Sequence, residues 1–216
     1  MKRLVFIVEG DTEIILVQNL IVPYLYSLGF NNTMHGQTII TNRKQHKKGG
    51  VGSYGKFRNE VNRTLSQGNV IVTTMIDFFK LPTDFPNFTS NSHQIRQIEE
   101  AIHQDFDNNP NFIPYIQRHE LEALMFSERS GFELVIDDEK KMEDIDEILQ
   151  KYPNPEDINN HPDTAPSKRL EKIFGYEKTS DGSLIFEMIG FGNILQKCPR
   201  FSEWINSIVE KLREQG

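Results

Sequence analysis

Two runs constrain this chain more than any other feature: Leu4-Val5-Phe6-Ile7-Val8 and Val70-Ile71-Val72-Thr73-Thr74-Met75-Ile76. Neither shows the polar alternation of a strand with one wet face, so each predicts a strand covered on both sides. In a chain of 216 residues, that means a mostly parallel sheet with helices above and below it. Each run ends on an acid, Glu9 in the first case and Asp77 in the second.

The intervening sequence supplies the helices. Asp11 is placed to cap a helix whose Ile14, Val17, Ile21, Leu25 and Leu28 fall near the helical period until Gly29, with Pro23 kinking or restarting it. Residues 38–41 read as a second strand and 57–65 as a polar helix, which completes an α/β order of elements. Beyond Asp77 the pattern predicts a loop over 78–88, a helix over 92–106 and a strand over 112–116. That strand belongs at an edge because Pro114 has no N–H to give. Residues 119–126 read as a helix with Leu121, Leu124 and Met125 on its buried stripe. From 127 the chain turns to charged helices, prolines at Pro153, Pro155, Pro162 and Pro166, and a final helix from Arg200 carrying Phe201, Trp204, Ile205 and Ile208. The expected organisation is an α/β core over 1–126 and a C-terminal helical lobe over 127–216, packed as one unit.

Composition narrows the chemistry. Cys198 is the single cysteine, which excludes an internal disulfide and a thiolate-rich metal site and suits a reducing compartment. Met1-Lys2-Arg3 precedes an apolar run that stops at Glu9, too short for an export signal, and no later run approaches the roughly 20 residues of a membrane span. A cytoplasmic protein is expected. The formal charge of −7 is unevenly spread. Arg43, Lys44, Lys47, Lys48, Lys56, Arg58 and Arg63 face Glu60 alone, whereas residues 133–147 hold eight acids against Lys140 and Lys141. Both runs can be plain solvated faces; the first can also attract phosphate, and the second can serve as a docking surface.

Ligands of open parallel sheets bind at the carboxyl ends of the strands, and Glu9 and Asp77 both stand there. If the two strands are neighbours, the carboxylates are tolerated mainly with a cation between them, and oxygen-only ligation favours magnesium or manganese. Helix capping is the alternative reading of both. Gly10 after Glu9 suits a tight turn. Glu120 and Glu122 are candidates to complete the site, although two helical positions two apart point about 200° from each other and pattern does not choose between them. As solvated helix acids they would have no such role, and His119 beside them could be a base or an ordinary hydrogen-bonding side chain. Lys48-Gly49-Gly50 joins charge to flexible backbone amides, as a phosphodiester-binding loop requires. Gly50, Gly55 and Lys56 miss a nucleotide-binding loop because Phe57 replaces its hydroxyl residue. Cys198 and Trp204 read as packing residues.

Several stretches together resemble a known family. Val8-Glu9-Gly10-Asp11-Thr12-Glu13 looks like the opening of Toprim-type domains. With Thr74-Met75-Ile76-Asp77, His119-Glu120-Leu121-Glu122-Ala123, Ala165-Pro166-Ser167-Lys168-Arg169 and Cys198-Pro199 ahead of Trp204, nearly the whole chain resembles a bacterial family of Toprim-like proteins. These are related to the Toprim domains of overcoming-lysogenization-defect nucleases, often encoded beside an ATPase and implicated in phage defence. The resemblance implies a Toprim-like parallel sheet and a magnesium- or manganese-dependent nuclease acting on DNA or RNA, with an ATPase partner. Glu9, Asp77, Glu120 and Glu122 would be metal ligands and catalytic groups, Lys168 a further catalytic group, and Lys48, Gly49, Gly50 and Arg169 phosphate contacts. Asp77-Phe78-Phe79 departs from the Asp-x-Asp of general Toprim domains, so a further ligand is required. The alternative is a non-catalytic sensor or scaffold subunit of an ATPase complex. No membrane association is expected, and a homo-oligomer is left open.

Overall fold

The structure is a computed structural model describing residues 1–42, 47–48, 50–158, 161, 163–178 and 180–215, without the side chains of 40–42, 47 and 48. Both apolar runs form central strands. β1 (Arg3–Val8) lies between β2 (Met34–Thr38) and β5 (Val70–Asp77), and β5 continues to β6 (Phe112–Ile113) and β7 (Ile116–Gln117), every pairing parallel. Strand order in this sheet is β2-β1-β5-β6, with β7 also on β5. A two-stranded antiparallel ribbon, β3 (Ile40–Asn42) with β4 (Lys47–Lys48), stands apart from it.

The absence of alternation is explained by the two cores. Leu4, Phe6, Val8, Ile71 and Met75 face one, while Val5, Ile7, Val70, Val72 and Ile76 face the other, and all are buried. The second face is covered by α3 (Tyr54–Leu65), through Phe57 and Val61, and by α4 (Ile95–Asp105), through Ile95, Ile98 and Ile102. The first is covered by the α1 (Asp11–Leu16) and α2 (Val22–Ser27) rod, joined by a π-helical turn at Val17–Ile21, and by the C-terminal helices. The wider turn precedes Pro23, whose ring and missing N–H are incompatible with a regular helix interior. Of the C-terminal elements, α5 (Glu139–Lys151), α6 (Pro166–Phe174), α7 (Asp181–Ile189), α8 (Phe191–Lys197) and α9 (Pro199–Arg213), the last reaches deepest. Trp204 stacks on Tyr115 at 4.4 Å and donates its indole N–H to Thr73 Oγ1 at 2.8 Å. The helices after 127 are thus the third layer of an α/β fold with a parallel sheet flanked by helices.

Several local expectations shift. The second strand runs over Met34–Thr38 and not 38–41, since Gly36 lets α1 approach: a Cβ there would lie 2.7 Å from Ile14 Cδ1. Pro114 splits the edge strand into β6 and β7. Residues 119–126 are not an α-helix. His119 is left-handed at φ +68°, Glu120 is extended, and a fully buried 3₁₀ segment follows over Leu121–Ser127. A segment buried on every side has no solvated face to give it helical periodicity.

Candidate acidic ligand site

The connections from β1 set the site. The α1–α2 rod leads from β1 to β2 on one face, and α3 leads back past β1 to β5 on the other. Strand order therefore reverses between β1 and β5, where a doubly wound sheet opens a crevice at its carboxyl edge. Glu9 follows β1 directly and Asp77 ends β5. They meet: the Asp77 backbone N–H donates to Glu9 Oε1 at 3.0 Å.

Two more acids join them. Glu13, in the first turn of α1, is 8% exposed, and its Oε2 accepts the Gly10 N–H at 3.0 Å. Gly10, not Asp11, is the capping position of α1. Its backbone is extended, at φ −149°, so glycine is not needed there for a turn; it supplies room, since a Cβ would meet Glu13 Oε2 at 3.2 Å. Glu122, 1% exposed, comes from the buried 3₁₀ segment. Its Oε1 lies 2.6 Å from Lys178 Nζ, an ion pair, while neither of its oxygens has a hydrogen bond of good geometry. The Tyr176 hydroxyl, also buried, has none either.

These acids perturb one another. Burial, opposed by the Asp77 N–H and reinforced by Glu13, pushes Glu9 from 4.5 up to about 7. Burial and then the charges of Glu9, Glu13 and Glu122 raise Asp77 well above the usual carboxylate range. Glu13 and Glu122 are raised by burial as well, with Lys178 pulling both back. Burial lowers the Lys178 ammonium, but the carboxylates, Glu122 first, outweigh it and raise it. Four carboxyl groups sharing one ammonium at a crevice must hold protons near neutrality or take up another cation. The all-oxygen donors and the unpartnered Glu122 oxygen fit magnesium or manganese. Among the described residues, however, no group of three or more His, Cys, Asp or Glu side chains is placed to hold a metal ion as the chain stands.

The other sequence candidates have other partners, although the Glu120 charge still reaches Glu122 and Lys178. Glu120 receives the Ser167 N–H on Oε2 at 3.0 Å and the Ser167 hydroxyl on Oε1 at 3.1 Å, holding the start of α6. Lys168 pairs with Glu171 at 2.7 Å, and Arg169 donates to the Thr164 carbonyl at 2.7 Å with its guanidinium over Tyr152. Both line a groove with Asp144 and Glu147 and not the acidic crevice. Gly50 is exposed at φ +71°, while Gly49, residues 43–46 and the Lys48 side chain lie outside the described residues. His119 is buried, its imidazole lowered to about 4 by burial and then by Arg118. Cys198 is buried, and burial pushes its thiol up.

Sequence reasoning missed Glu13 and Lys178. Glu13 was readable: it stands three residues after Gly10, the position from which a glutamate in the first helical turn reaches back to the cap N–H beside the strand end. Lys178 carries no local signal, because only the packing of α7 brings its connection over the crevice.

A doubly wound α/β protein with opposed acids at its strand reversal is the class that this fold and site define. Within it, the chain belongs to the family described as a domain of unknown function, DUF4276, whose family model matches residues 8–209. No curated protein and no solved structure matched the chain. Among the described residues, no helix is long and apolar enough to cross a membrane.

Proposed function

We propose that the chain is a Toprim-like, magnesium- or manganese-dependent enzyme that cleaves phosphodiester bonds in nucleic acid. The observation that supports it is the meeting of Glu9, Glu13, Asp77 and Glu122 at the reversal between β1 and β5, with carboxyl groups raised by burial and by one another. A bound divalent ion would supply charge neutralisation and activation of water. Glu9 and Asp77 would hold it from the strand ends, with Glu13 and Glu122 closing the far side. Glu120 acts through the fold, by fixing the start of α6. Recruitment by an ATPase partner and a role in phage defence belong to the same reading and rest on the family resemblance.

The test is cleavage of plasmid and of single-stranded DNA and RNA with manganese, comparing wild type with Asp77→Asn. Loss of cleavage in the variant supports the reading, and survival of cleavage refutes the site. Ion binding is checked separately by melting: a ligand at a hundredfold excess over its Kd adds about 2.7 kcal/mol, a rise of roughly 5–10 °C for a chain of this size. Glu9→Ala is expected to remove that rise. One observation favours the second reading, a non-catalytic sensor or scaffold subunit: Phe79, partly buried, stands where a second aspartate would complete the set. Ion-independent binding of an ATPase with no cleavage would select it.

A further inference from the structure

The Lys178 ammonium has an unusual position. It sits on the connection between α6 and α7, with its side chain 52% exposed, yet its tip lies 2.6 Å from a carboxylate that is 1% exposed. It is the cation whose charge is felt by Glu9, Glu13, Asp77 and Glu122 alike. Nearby, both Glu122 oxygens and the Tyr176 hydroxyl are buried without a hydrogen bond of good geometry. An ammonium that enters from the solvent side and meets one oxygen of an otherwise unsatisfied carboxylate partly neutralises the acids while occupying one of the oxygens an ion would take.

We propose that Lys178 is a tethered counter-cation that competes with a divalent ion for Glu122, so that it sets the ion concentration at which the acidic crevice becomes loaded. The inference rests on the metal-binding reading above and adds what opposes that binding. Removing the ammonium takes away both the competitor and the electrostatic repulsion an incoming ion would meet, and an arginine in its place keeps both. The ammonium moves off Glu122 as the ion arrives, and its half-exposed stem lets it do so without unfolding a packed element. Binding and release of the lysine are then linked to the ion by ordinary reciprocal coupling, which for neighbouring sites spans about 5–150-fold in affinity.

The experiment is manganese binding to the full chain at pH 8, read by equilibrium dialysis or by the free-ion electron paramagnetic resonance signal, for wild type, Lys178→Met and Lys178→Arg. Melting of each protein with and without manganese accompanies it. Lys178→Met is expected to bind manganese about tenfold more tightly and to melt lower than wild type in chelator, with a larger manganese-induced rise. Lys178→Arg is expected to stay within about twofold of wild type. A purely structural lysine would lower melting in chelator without tightening the ion. Unchanged or weaker binding in a folded Lys178→Met protein, with wild type binding normally, overturns the competition and leaves the metal site standing. Absence of manganese binding in all three overturns both. Should Lys178→Met fail to fold, Lys178→Gln carries the same comparison.

Discussion

Two buried groups of charges in this molecule follow opposite rules. At the carboxyl edge, Glu9 and Glu13 each hold one backbone N–H, and Glu122 holds one lysine. Against α9, Glu156 accepts the N–H groups of both Arg200 and Phe201, at 2.8 and 3.1 Å. Glu99 takes the Arg200 guanidinium and the Ile116 N–H, each at 2.8 Å. Burial raises the acids in both places, so direction alone does not separate them. Neighbouring charges do: at the rim Asp77 is pushed further by Glu9, Glu13 and Glu122 and Glu9 by Glu13, whereas Arg200 pulls Glu99 and Glu156 back. One group fastens the third layer to the sheet, and the other stores repulsion that a ligand can relieve.

The sharpest way to break this contrast is Arg200→Met. It leaves Glu99 buried with its backbone donor alone and should cost about 3–5 kcal/mol in urea unfolding, as one-sided removal from a buried pair does. A cost below about 1 kcal/mol would show the network to be no more than a surface pair. Next comes Glu9→Gln, which keeps an acceptor for the Asp77 N–H and removes the titration. With its folded value near 7 against 4.5, Glu9 lends the fold stability that is complete below pH 4.5 and lost as pH rises through 7. Wild type should therefore lose on the order of 3 kcal/mol across that window relative to Glu9→Gln, read from paired pH–stability curves in chelator. His119 runs the other way: its folded value near 4 means its contribution is present above pH 6.5 and lost as pH falls through 4. Parallel wild-type and Glu9→Gln curves would remove Glu9 from the strained set.

Ser167→Ala asks to which group Glu120 belongs. It deletes one donor to a buried carboxylate and should cost about 1.5–3 kcal/mol in melting, without altering manganese binding. A change in manganese binding would return Glu120 to the crevice. Smallest of all, Lys168→Ala removes an exposed pair with Glu171 and should change stability by less than about 0.5 kcal/mol, leaving cleavage intact. Loss of cleavage there would restore Lys168 as a catalytic group.

Legibility divides along the same lines. The central strands, both acids at their ends, the edge position of residue 114 and the core role of Trp204 were readable, because burial on two faces, a missing donor and helical spacing leave marks in the local sequence. The stretch 119–126 was misread because its all-round burial erases periodicity, and the true second strand was hidden by His35, Gly36 and Gln37, which suit a strand beside a helix more than an isolated one.

The sequence alone determined that two buried strands would end in acids, since strand burial and strand ends are properties of contiguous residues. Only the tertiary structure decided which acids share a crevice. Glu120 and Glu122, two residues apart, went to a helix start and to a lysine respectively, because an extended residue followed by a 3₁₀ turn aims neighbouring side chains at different partners. Lys178 reached the crevice only through the docking of α6 and α7. Such placement depends on packing between segments 47 residues apart or more, where electrostatic interaction follows distance in space and not along the chain.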